Sequence, residues 1–274
     1  MEGLKLGEAP KPLVLKLGGS VVTFKDKIET PNLQAIRRLS REIAEANPPS
    51  LLMVHGGGSF GHPYAQAHRL TEGYKGERLQ FAGLSQTREA MIRLNNIIIE
   101  VLNMAGVPAV GLQPSALITT RAGRISSLNL KPILGVLRLG GVPVLYGDVV
   151  VDAEQGFTVL SGDRISAALA IRLGSRRLIM GVDVNGIYTS DPKISPDSKL
   201  IRKLNIRGEK FKAVLTGIKG SKTVDVTGGM KHKIFEVKDF VARGGTALII
   251  NALKPGNVVK ALKGRKVEGT IIKA

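Results

Sequence analysis

The 274-residue chain has no cysteine, which excludes a disulfide framework, a thiol nucleophile and a cysteine-ligated metal. It has no tryptophan, and aromatic residues make up only 4% of it, which leaves little material for stacking nucleic-acid bases. No apolar run approaches membrane-spanning length, and residues 1–10 lack the apolar segment of a signal peptide. A soluble, cytoplasmic protein is the expectation. Acidic residues are scarce too: 22 Asp+Glu against 40 Lys+Arg give a formal charge of +18. That excess attracts nucleic acid, anionic lipid or small phosphorylated ligands. The basic residues are scattered, with loose clusters only at 199–212 and 260–266. They read as solvated surface plus a field that favours phosphate, with neither nucleic acid nor membrane as partner.

Glycine is plentiful, with 33 residues beside a 43% hydrophobic content, as suits a compact α/β protein. The run 12–17 (PLVLKL) is nearly continuous in its apolar character and stops at Gly18-Gly19, as a buried parallel strand would. The spacing of Leu33, Ile36, Leu39 and Ile43 predicts a helix over 31–46, with Thr30 as N-cap and Pro31 in the first turn. A strand follows at 51–54, then a long helix over 77–104 with Phe81, Leu84, Met91, Leu94 and Ile98 on its apolar face. Further strands are expected at 107–112 and 143–146, and a hairpin from 149–151 and 157–160. Beyond it come a helix over 161–173 capped by Ser161, a strand at 178–182, helices at 210–217 and 230–242, and a strand at 246–251. This alternation predicts an α/β fold: an open αβα sandwich around a mainly parallel sheet. Two lobes are expected, 1–175 and 176–274, with no flexible linker between them.

The chemistry concentrates at two glycine turns. Residues 55–62, His-Gly-Gly-Gly-Ser-Phe-Gly-His, lie between a strand and a helix and match neither the P-loop nor the dinucleotide fingerprint. Uncovered backbone N–H groups at a helix start can approach an anion, although a bare structural turn is the alternative. Lys16 precedes Gly18-Gly19 at the end of an apolar strand, where an ammonium either meets an anion or snorkels into solvent. Both turns open on the carboxyl edge of one parallel sheet, where ligands of such sheets bind. Two anion cradles side by side suit a donor phosphate and an anionic acceptor.

Six segments, Lys16–Ser20, His55–His62, Gly147-Asp148, Ser161–Asp163, Val182–Gly186 and Asp225–Lys231, occur in an order that resembles the amino acid kinase superfamily. Within it the chain is most similar to the archaeal isopentenyl phosphate kinases, over about residues 13–272. The resemblance implies transfer of the ATP γ-phosphoryl group, with Mg2+ carried by the nucleotide, onto isopentenyl phosphate in isoprenoid biosynthesis. It also implies a homodimer, an amino-terminal lobe for the acceptor and a carboxy-terminal lobe for ATP.

By match to family positions, Lys16 bridges donor and acceptor phosphates, and Lys25 stabilises the transferring group, with Lys27 as the alternative. Lys231 contacts the nucleotide phosphates with Gly228 and Gly229. Gly18, Gly19, Ser20, Gly58 and Asp183 complete the nucleotide side. Gly57, Gly162 and His62 face the acceptor, and Asp163 orients the lysines. His62 marks kinases of phosphate or phosphonate acceptors, because an imidazole can donate a hydrogen bond to phosphate. His55 is expected to brace the glycine loop, and Asp148 to close a turn. Asn185 stands where Asp is more usual. No residue spacing suits a protein-held metal. Rival readings are a fosfomycin-type phosphonate kinase, a carboxylate kinase such as acetylglutamate kinase, and a basic RNA-binding regulator.

Overall fold

The computed structural model describes residues 11–190, 197–208, 211 and 229–274. An eight-stranded sheet has the order β12-β14-β13-β9-β1-β2-β6-β3. Its middle is β1 (Leu13–Leu17), paired in parallel with β2 (Leu51–His55) on one side and β9 (Arg177–Val182) on the other. Beyond β2 lie β6 (Val142–Tyr146) and β3 (Ala109–Gly111), both parallel. Beyond β9 lies β13 (Thr246–Asn251), parallel to it. Only β14 (Gly269–Lys273) runs against its neighbour β13, and β12 (Lys203–Asn205) closes that edge. The chain thus winds outward in both directions from β1, so the crevice at the carboxyl end of β1 is the expected ligand position.

Alternation along the strands sorts side chains onto two faces. Val14, Leu52, Val54, Leu178 and Met180 pack with α6 (Lys131–Arg138), α7 (Gly162–Arg172) and α8 (Gly229–Ala242). Leu15, Leu17, Met53 and Ile179 pack with α2 (Leu33–Ala46), α4 (Arg78–Met104) and α9 (Asn257–Leu262). These largely apolar strands need cover on both faces, and the helices supply it. Lys16 shares the face of Val14, so its ammonium is directed toward α7 and α8.

A second, four-stranded sheet stands off the first. It contains the hairpin β7 (Asp148–Asp152) and β8 (Gly156–Leu160), with β4 (Ile118–Arg121) and β5 (Arg124–Leu128) beside it. The hairpin 149–160 and the Ser161 cap are where the sequence places them: Ser161 Oγ accepts from Arg164 N at 3.1 Å. The cap of α2 is not. Asn32, rather than Thr30, accepts from Ala35 N at 3.1 Å, because Pro31 is held in a bridge with Thr23 and the helix starts two residues later. Phe81 leaves the apolar face of α4; it is 57% exposed and sits edge-on to Tyr74. The expected helix at 210–217 lies, apart from Phe211, outside the described residues.

Candidate active site

Strands β1, β2 and β6 end together, each first turn residue bonding back to its neighbour. Gly18 N donates to Gly181 O (2.8 Å), Gly56 N to Leu17 O (2.9 Å) and Gly147 N to His55 O (3.0 Å). The two glycine turns then touch backbone to backbone. A Cβ on Gly19 would lie 2.3 Å from Gly58 N, and one on Gly56 would lie 2.7 Å from Gly19 N. Neither contact is attainable, so only glycine fits. Thr23 clasps the pair: its hydroxyl donates to Gly19 O (2.8 Å) and accepts from Ser59 N (3.0 Å). Helix α3 (Gly58–Ala67) starts at the second turn and carries His62.

Lys16 is 3% exposed, and its Nζ lies 2.6 Å from Asp163 Oδ1. The other oxygen of Asp163 accepts from Lys233 Nζ at 3.0 Å. Asp163 stands in the first turn of α7, where the helix also favours negative charge. Burial alone would raise its carboxyl pKa; the charges of Lys16 and then Lys233 overcome that and hold it far below the ordinary range. The triad therefore carries a net positive charge in a nearly dry setting, and both ammoniums are held to one carboxylate.

The turns and the triad open on a cavity of about 400 Å³. Lys16, Gly18, Gly19, Ser20, Lys25, Gly57, Gly58, His62, Gly162 and Asp163, all expected from the sequence, line it. Lys25 lies on the wall and Lys27 does not. Lys25 Nζ is 3.4 Å from Asp183 Oδ2, so Asp183 reaches the site through Lys25. Burial would raise the Asp183 carboxyl, but Lys25 foremost keeps it low. Away from the lysines the wall becomes apolar, with Pro63, Ala65, Met91, Val149, Val159 and Leu160. Met91 is the one member of the expected α4 apolar face found there. Leu84 packs in a separate cluster with Ala65 and Leu70, and Ile98 in the core beneath the sheet.

His55 is buried, stacked on Tyr146 at 5.5 Å, with Nδ1 3.1 Å from Gly56 O and Nε2 3.2 Å from Asn95 Oδ1. Burial pushes its pKa down to about 4, so the ring is neutral and braces the loop. Asp148 accepts from Ser115 N (3.0 Å) and Val149 N (2.8 Å), and burial raises its pKa despite these bonds.

The sequence pattern of the Amino acid kinase family matches residues 11–251, nearly the whole of this architecture. This chain belongs to the amino acid kinase family. It is 41% identical to the isopentenyl phosphate kinase of Methanothermobacter thermautotrophicus, over 95% of this chain and 98% of that protein. A solved isopentenyl phosphate kinase superposes with a TM-score of 0.84 at 39% identity, covering 95% of this chain and 99% of that one. Another, described as an isopentenyl phosphate kinase substrate complex, gives 0.74 at 28% identity over 95% and 100% of the two chains.

In this amino acid kinase the structure sets the motif-matched Lys231 away from the cavity. Lys231 is exposed on α8, and Lys233 is the lysine that meets Asp163 and lines the cavity. Residues two apart on a helix point about 200° from each other, so only one of the two can face the site. The signal was readable: Lys233 is four residues before buried Val237 and seven before buried Phe240, on the inward stripe. Gly229 begins α8 with φ +62° and is not among the lining residues, and Gly228 lies outside the described residues. Asn185 accepts from Asn251 Nδ2 (3.1 Å), tying the loop after β9 to the end of β13. His68 pairs with Gln86, and His232 is exposed. The carboxylates of Asp148 and Asp163 are committed to protein donors, and among the described residues no group of acidic or histidine side chains forms a metal cage.

Proposed function

We propose that this kinase transfers the γ-phosphoryl group of ATP directly onto isopentenyl phosphate, giving isopentenyl diphosphate and ADP. The observation that carries the reading is the buried Lys16–Asp163–Lys233 triad at the junction of two glycine turns, facing a cavity with His62 and an apolar wall. A phosphate oxygen of the acceptor attacks the γ-phosphorus while the bond to the β–γ bridging oxygen breaks, so no protein nucleophile is needed. The acceptor is already an anion, and the protein's task is to neutralise charge and align the two phosphates. Lys16 and Lys233 supply the charge, and Asp163 keeps the two ammoniums together. Backbone N–H groups of the two turns cradle phosphate oxygens, and His62 donates to the acceptor phosphate. Pro63, Met91, Val149 and Val159 suit a short hydrocarbon tail.

Relatives that align over nearly the full chain are isopentenyl phosphate kinases, which supports the same substrates. The reading takes magnesium bound to the ATP phosphates, since the carboxylates at the site are otherwise engaged. It also takes a homodimer, a cytoplasmic location, and an acceptor lobe (1–175) set against a nucleotide lobe (176–274). The acceptor-side residues His62, Gly57 and Gly162 fall in the first of these lobes, and Asp183 and Lys233 fall in the second.

ADP release with isopentenyl phosphate, dimethylallyl phosphate, fosfomycin and acetylglutamate tests the assignment. Isopentenyl phosphate should show the highest kcat/KM; a preference for fosfomycin or acetylglutamate would reject it. His62→Ala should cost about 100-fold in kcat with the KM for ATP within about 2-fold. Unchanged turnover removes His62 from the acceptor role.

A further inference from the structure

Lys25 is carried on a surface loop with little apolar anchoring. Phe24 is 44% exposed and Ile28 67%, and the loop neck is closed by Phe24 N to Thr30 O (3.0 Å) and Asn32 N to Val22 O (2.8 Å). Few buried contacts mean that something polar must set the position of the lysine. Glu29, in the same loop, has φ +48°, a backbone that non-glycine residues adopt only when the surroundings hold it. Here they do. The Glu29 carboxylate accepts both Nε (2.9 Å) and Nη2 (2.7 Å) of Arg93 on α4, and the Tyr64 hydroxyl of α3 (2.5 Å). Its own N–H donates to Ser59 O (3.1 Å), next to the second glycine turn. Arg93 hydrogen bonding, opposed by burial, holds the Glu29 carboxyl below the usual range, so it is ionised at neutral pH.

We propose that Glu29, with Arg93 and Tyr64, is a latch that positions Lys25 over the cavity for phosphoryl transfer, making Glu29 a positioning residue of the reaction. The inference rests on the kinase reading above. Two of its anchors are on α3, the helix that carries His62, and the third is on α4, which supplies Thr87 and Met91 to the cavity wall. The latch therefore sets Lys25 relative to the acceptor side of the cavity. A half-exposed ion pair of this kind contributes little to global stability, so its effect should appear in turnover and not in melting.

The experiment compares wild type, Glu29→Ala, Lys25→Ala and the double variant with ATP and isopentenyl phosphate, each checked by thermal melting. Glu29→Ala should lower kcat about 10-fold, with both KM values within about 2-fold. The double variant should be no slower than Lys25→Ala alone, because the latch acts only through that lysine. Arg93→Met approaches the latch from α4 and should reproduce the Glu29→Ala loss, even if Glu29→Ala folds poorly. Exchanging the pair, Glu29→Arg with Arg93→Glu, should recover part of it. Full turnover in both Glu29→Ala and Arg93→Met, no loss in Lys25→Ala, or losses that multiply in the double variant would overturn the latch. A wild type inactive on isopentenyl phosphate would overturn the functional reading itself, which is a different result.

Discussion

Lys16→Met is expected to lower turnover about 1000-fold while leaving the fold intact. Lys16 is the one ammonium that β1 delivers directly beneath the first glycine turn, and its exposure of 3% means that water cannot take over its role. Two phosphates brought head-on repel, and in a water-poor site that repulsion is far stronger than in bulk solvent. Methionine fills the same stem volume but leaves the repulsion unopposed in the transition state. Stability should survive because Asp163 keeps Lys233 as its partner at 3.0 Å. The check is kcat beside a thermal melt. A variant within about 10-fold of wild type would mean that Lys16 is a structural counter-ion and nothing more.

The second large effect separates two lysines that the sequence leaves close together. Lys233→Met should cost about 100-fold in kcat, whereas Lys231→Met should stay within about 3-fold. Lys233 shares Asp163 with Lys16, so its loss removes positive charge from the triad and frees an oxygen of Asp163 toward the incoming phosphates. Lys231 projects from the opposite side of α8. Steady-state kinetics on the two purified variants decide it; equal losses, or a larger loss for Lys231, would place the nucleotide on the other face of the helix.

What the sequence made legible were features whose physics is local. The runs ending at Leu17 and Val54 are apolar but for Lys16 and reach a glycine within two residues, the pattern of a buried strand entering a tight turn. Ser161 caps its helix through an oxygen three residues from the N–H it bonds. The helix phase at Lys231 and Lys233 is equally local, and it puts Lys233, rather than the motif-matched Lys231, on the cavity side of α8. Other features depend on distant partners. Strands β4 and β5 carry polar, partly exposed residues such as Thr119, Arg121 and Ser126, and they form because β7 offers an edge. Strand β14 joins the sheet against β13 in the opposite sense, which no window around residue 270 reveals. Thr23 gives no sign in sequence of the clasp it makes with Ser59, 36 residues later. Nor does the composition of α4 tell that Phe81 is exposed while Met91 reaches the cavity.

A crystal structure with a non-hydrolysable ATP analogue and isopentenyl phosphate tests the central claim most directly. One phosphate should sit on each glycine turn, with Lys16 Nζ within hydrogen-bonding reach of both and Lys233 on the nucleotide side. Both phosphates on a single turn, or Lys16 on Asp163 and touching neither phosphate, would contradict the account.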